Sequence, residues 1–156
     1  MSNPKLEFLL HHYIPLLKQI DKDTAPRFGK MNVQQMIEHM ADSVAMASEK
    51  LKLERVADDS TTEKMRQFIL SEKPFRENTP NPHMAADPVP CRHATIDESI
   101  QELDTELHEF VRYYEERPGM IVRNPFFGEL NFEEWTHLLH KHAWHHLKQF
   151  RVSTES

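Results

Sequence analysis

Residues 131–150 read NFEEWTHLLHKHAWHHLKQF, and the spacing of apolar side chains in this stretch decides the fold class. Stepping roughly 100° per residue from Phe132 places Phe132, Leu139, Ala143 and Phe150 on one stripe, with Trp135 and Leu147 on its flanks. That is the period of a helix with one face in a core. Asn131, followed three residues later by Glu134, supplies the capping-box pair that starts it. The same projection sorts the five histidines of the stretch. His146 falls about 40° and His142 about 80° from the stripe centre, both on the Trp135 side. His140 lies on the Leu147 flank, and His137 and His145 point outward. His142 and His146 are therefore stacked one turn apart on an inward-leaning face.

The helical period extends outward from this segment. Residues 4–20 place Leu6, Leu9, Leu10, Tyr13, Leu16, Leu17 and Ile20 at three- and four-residue intervals, and Pro15 inside that run predicts a kink or a break. Asn32 with Gln35 caps a second helix over 32–52, with Val33, Met36, Ile37, Met40, Val44, Ala47 and Leu51 on its stripe. A short helix fits 61–71 around Met65, Phe68 and Ile69. Thr95 with Glu98 is a third capping box, opening a helix over 96–116 that turns Ile100, Leu103, Leu107, Phe110 and Val111 inward. The stretch 73–95 holds five of the ten prolines and cannot be helical throughout; loops of that length in compact domains tend to be functional. All three glycines fall between helices. The expected architecture is one all-α domain over 1–156. It is an antiparallel four-helix bundle with an extra short helix and a long Pro-rich loop, and with no strand beyond a chance bridge.

Composition narrows the function. The 156 residues are 38% hydrophobic and 28% charged, and the formal net charge of −6 disfavours binding to nucleic-acid phosphates. With three glycines there is no Gly-rich phosphate loop, and with one cysteine, Cys91, there is neither a disulfide framework nor a Cys-based zinc site. No apolar run approaches the roughly 20 residues of a membrane helix. The first residues show no basic segment leading into an apolar core, so a secretory signal is not expected and a reducing cytoplasm is.

Histidine carries the chemistry. Side chains one helical turn apart lie about 5–6 Å apart at Cβ, so His142 and His146 can converge on one cation. Two imidazoles hold a metal weakly; the preferred third ligand is His39, midway along the second helix at the edge of its stripe. An ordinary half-buried histidine remains the alternative for each. Asp42, Ser43 and Gln149 are the nearest polar candidates for orienting the ligands. Met31, Met36, Met40 and Met46 read as core. A di-iron site needs an inward Glu-x-x-His on two helices, and only Glu134-x-x-His137 occurs, with His137 outward. Cys91 lies beside Arg92 and His93, which could lower its pKa.

Two segments, PRFGKMNVQQMIEHMADS (26–43) and NPFFGELNFEEWTHLLHKHAWHHLKQF (124–150), carry a resemblance to the DinB/YfiT-like superfamily of four-helix-bundle proteins. The matching features are a histidine in the second helix after a Gly/Lys-Met turn, and His-x3-His on the last helix ahead of a Gln-containing end. They fall on His39, His142 and His146. The resemblance implies a divalent metal, often nickel or zinc, held by those three histidines with water in the remaining positions. It also implies a thiol-dependent transferase using a low-molecular-weight thiol such as bacillithiol or mycothiol, or an amide hydrolase, and a homodimer. Apolar residues left over on the first helix point the same way for the dimer. The Pro-rich insertion departs from the family pattern and is expected to cover or reshape the mouth of the site. The alternative is a bundle without catalysis, acting as a metal-binding or stress-related interaction protein.

Overall fold

The computed structural model describes residues 3–51, 59–75, 90–124 and 127–152. Its helices are α1 (Pro4–Glu7), a π-helical turn (Phe8–His12), α2 (Tyr13–Lys18), α3 (Val33–Ala47), α4 (Asp59–Leu70), α5 (Ile96–Glu115) and α6 (Phe132–Gln149). The all-α expectation holds, with boundaries that shift for identifiable reasons.

The N-terminal run is continuous but not uniform. Proline at position 15 has no N–H for the carbonyl four residues back, and its ring crowds that carbonyl. The chain accommodates this with the wider π turn just ahead of it, where the Tyr13 N–H bonds the Phe8 carbonyl. Helix α3 ends at Ala47 rather than near residue 52. Glu49 takes φ 63°, the Glu49 N–H bonds Met46 O at 3.2 Å and the Lys50 N–H bonds Ala45 O at 3.0 Å. This is a Schellman closure with glutamate where glycine is usual. Leu51, expected on the buried stripe, is consequently 38% exposed. Helix α6 closes the same way through Arg151 (φ 72°), with Val152 N–H on Leu147 O at 2.8 Å.

Two of the three expected capping boxes form, Asn32 with Gln35 and Asn131 with Glu134; in the third, the Glu98 carboxylate accepts from the Thr95 hydroxyl instead of reaching the Thr95 backbone N–H. At α5 the Thr95 hydroxyl accepts from the Glu98 N–H. Such caps contribute on the order of 1 kcal/mol each.

One feature departs from the all-helical expectation. Val122–Asn124 and Gly128–Leu130 pair as antiparallel strands β1 and β2, with Val122 opposite Leu130. Each strand alternates buried, exposed, buried, so Val122, Asn124 and Leu130 face the core while Arg123 and Glu129 face water. Gly128, at φ 83°, lets the ribbon press on α4; a Cβ there would lie 3.1 Å from Thr62 Cβ. The Trp135 indole donates to Val122 O at 3.1 Å, which joins the ribbon to α6 without an orphaned donor.

The core is shared by all the long helices. Met36, Ile37, Met40 and Val44 of α3 meet Leu103, Leu107 and Phe110 of α5, while Trp135, Leu139, Ala143 and Leu147 enter from α6. Arg66 of α4 donates to the Glu134 carboxylate at 2.6 Å. Glu134 is thus spent on a cap and an ion pair, in keeping with the rejection of a di-iron site. Among the described residues no helix is long and apolar enough to cross a membrane.

Candidate metal centre

Helices α3 and α6 lie side by side with His39 at the middle of one and His142 and His146 on the last turns of the other. Their Nε2 atoms converge: His39 to His142 is 3.1 Å and His142 to His146 is 3.0 Å. The three rings stand 4.7–5.0 Å apart, centroid to centroid. His146 is buried, whereas His39 and His142 are partly exposed, so the cluster has a protein side and a solvent side.

A hydrogen bond behind the cluster selects the tautomer of His146. The Gln149 side-chain Nε2 donates to the Phe28 carbonyl at 2.8 Å, which turns its Oε1 toward His146 Nδ1 at 2.7 Å. His146 therefore donates from Nδ1, and its Nε2 lone pair faces the other two histidines. The loop that offers Phe28 O turns at Gly29, with φ 75°; a Cβ there would stand 2.9 Å from Gln149 Nε2. A glycine is needed at this point for both reasons. Of the three polar candidates read from the sequence, Gln149 is the one that orients a ligand. Ser43 instead donates to the His39 backbone carbonyl, and Asp42 pairs with Arg92 at 3.0 Å.

Electrostatics keep the imidazoles neutral. Burial, reinforced by His145, lowers the pKa of His39 from 6.5 to about 4. His142 and His146 are pushed well below the usual histidine value, by burial first and then by neighbouring histidines. Three neutral imidazoles converging on one point form the donor set that zinc, nickel and similar ions accept, once each turns a lone pair inward. Ligands about 2.0–2.1 Å from one ion, at tetrahedral or cis-octahedral angles, stand about 2.9–3.4 Å from each other, which brackets both Nε2 separations. His39, His142 and His146 could hold such an ion.

The other histidines do not join them. His145 packs against Phe28 and Phe75, with centroids 5.0 and 5.7 Å away, and borders His146 without entering the cluster. It is partly buried by these rings rather than simply outward. His140 lies edge-on to Phe8.

Of the stretch 73–95 the two ends are described, and residues 76–89, on which its expected covering role falls, lie outside the described residues. At one end Phe75 stands edge-on to His142 at 5.8 Å. At the other, Glu38 receives the Arg92 N–H at 2.8 Å, the His93 N–H at 3.2 Å and the Ser99 hydroxyl at 2.7 Å. Burial alone would raise the Glu38 pKa, but these donors outweigh it and hold it low. A carboxylate adjacent in sequence to His39 thereby fastens the returning chain to α3. Periodicity gave no warning of this, because Glu38 looks like any charged residue beside an apolar stripe. Cys91 corrects an expectation: burial, and then the Glu38 charge, raise its pKa, so Arg92 and His93 do not make it a thiolate. Arg92 is engaged by Asp42 and Glu102, and His93 by Glu102.

Against this geometry, the family model of the DinB superfamily matches residues 10–150. No curated protein and no solved structure matches the chain significantly.

Proposed function

The chain belongs to the DinB superfamily, and from that premise we propose that His39, His142 and His146 bind a divalent metal ion, nickel or zinc, in a metal-dependent enzyme. The observation that carries the proposal is the convergence of three Nε2 atoms, 3.0 and 3.1 Å apart, with one tautomer fixed from behind by Gln149. When bound, such an ion supplies Lewis acidity and lowers the pKa of a coordinated water or thiol.

The chain's own residues supply the rest. His142 and His39 keep one side of the cluster toward solvent, as a substrate-accepting site requires. Phe75 borders the cluster at His142, its ring edge-on to the imidazole. Neutral ligands leave the full charge of the ion uncompensated, which favours an anionic or strongly polarised oxygen or sulfur in the substrate. The reactions that use such a centre are hydrolysis of an amide-like bond and transfer from a low-molecular-weight thiol. The protein is further proposed to act in the cytoplasm as a homodimer.

One observation bears on the alternative of a non-catalytic metal-binding bundle: burial and the Glu38 charge raise the pKa of the Cys91 thiol, away from the thiolate form. Cobalt-loaded protein separates the two. Addition of a low-molecular-weight thiol should produce a sulfur-to-cobalt absorption band if the open side accepts substrate. An unchanged spectrum with thiols, together with no amide hydrolysis, would favour the binding protein.

A further inference from the structure

Beside the histidine cluster, on the opposite side of His145, lies a groove of about 240 Å³ between α6 and residues 71–75. Among the described residues its charged lining is lopsided: Lys5, Lys73, Lys141 and Lys148 against the carboxylate of Glu72. That is unexpected in a chain whose formal net charge is −6. The ammonium of Lys141 is held in place, donating to the Ser71 carbonyl at 2.9 Å and to that of Lys73, and it stands 4.7 Å from the centre of the Phe68 ring. The remaining walls are mostly rings, with Phe28, Phe75 and Trp144 beside the imidazoles of His137, His140 and His145. Trp144 stacks on Phe8 at 5.2 Å, and Phe28 and Phe75 flank His145. Phe75 also stands against His142, and His145 against His146, so the groove ends where the cluster begins.

We propose that this groove binds a small organic anion with a flat apolar body, its acidic group among the lysines and its ring between Trp144 and Phe75. Positive charge placed along a cleft with low-dielectric aromatic walls concentrates anions there, and ring faces contribute affinity without a demand for one particular body. A carboxylate, sulfonate or phosphate satisfies the same lysines. The proposal deepens the enzymatic reading by giving its substrate class, and it rests on that reading only for the ligand's purpose, not for its binding.

The test uses metal-free, full-length protein with naphthalene-1-sulfonate as the anionic probe and 1-naphthalenemethanol as its neutral counterpart. Calorimetry gives affinity, and the indole N–H resonance of Trp144, assigned with W144F, gives position. The sulfonate should bind one per chain, shift that resonance, and weaken at least tenfold in K5Q/K148Q. The alcohol should bind weakly and be indifferent to the lysine change. K18Q, in the separate cleft between α2 and α5, should leave sulfonate binding intact. Absence of sulfonate binding at millimolar concentration would overturn the proposal, as would equal loss in K18Q or an unmoved Trp144 resonance. Cobalt titration of the same samples reports on the metal reading separately. Cobalt binding without sulfonate binding sinks the groove alone, and sulfonate binding without cobalt binding sinks the metal centre alone.

Discussion

Gln149→Leu is the substitution that most sharply probes how the cluster is built. The leucine keeps the volume but removes the acceptor of His146 Nδ1–H and the donor to Phe28 O, both buried bonds of 2.7–2.8 Å. Freed from Gln149, the ring can adopt the other tautomer and place N–H rather than a lone pair toward His142. Loss of such an orienting partner lowers metal affinity by about 10–100-fold, or about 1.4–2.7 kcal/mol. The two groups left unpaired should also reduce stability by about 1–3 kcal/mol each. Gln149→Glu separates these effects. Its carboxylate still accepts from Nδ1 and makes the ligand more basic, so affinity should match or exceed the parent's, while the lost bond to Phe28 O still costs stability. Zinc affinity by competition with a chromophoric chelator, alongside urea unfolding of the metal-free proteins, reads both quantities. Folded Gln149→Leu protein that binds zinc within threefold of the parent would refute the tautomer argument, and so would a glutamate variant as weak as the leucine one.

Three other outcomes follow from the same structure. The metal-free protein should lose stability as pH falls from about 6.5 toward 4, because His39, at about 4 in the fold, stays neutral while the unfolded chain takes up the proton. A urea midpoint unchanged between pH 7 and pH 5 would contradict that. The Tyr13 hydroxyl is fully buried with no hydrogen-bond partner among the described residues, so Tyr13→Phe should stabilise the protein by about 1 kcal/mol, and a clear loss of stability would show that the hydroxyl is satisfied. The proposed homodimer should sediment as such at tens of micromolar; a monomer there would count against it.

The helices were legible because their signals are local. Asn32 and Asn131 both cap as their spacing requires, and the projection of 131–150 turns His146 inward, where it is buried, but misses that Phe28 and Phe75 partly bury His145. The end of α3 was not legible, because a left-handed glutamate at position 49 is a tertiary outcome; Tyr113 of α5 hydrogen-bonds its carboxylate. The pairing of Val122–Asn124 with Gly128–Leu130 is illegible for a related reason. Two three-residue strands are too short to show a period, and they form because Val122, Leu130 and Trp135 need one another. In the site, the histidines could be read from helical spacing plus family resemblance. Gln149 could be suspected as an inward polar residue, but its partner Phe28 lies 121 positions away. Glu38 and Phe75 act through contacts that no sequence period encodes.

Whether three histidines hold an ion is read from the metal stoichiometry of protein purified without a histidine tag, compared across the parent, His146→Ala and His145→Ala. One zinc or nickel per chain is expected in the parent, nearly the same in His145→Ala, and almost none in His146→Ala. Retention of metal by His146→Ala, or its loss from His145→Ala alone, would contradict the three-histidine centre.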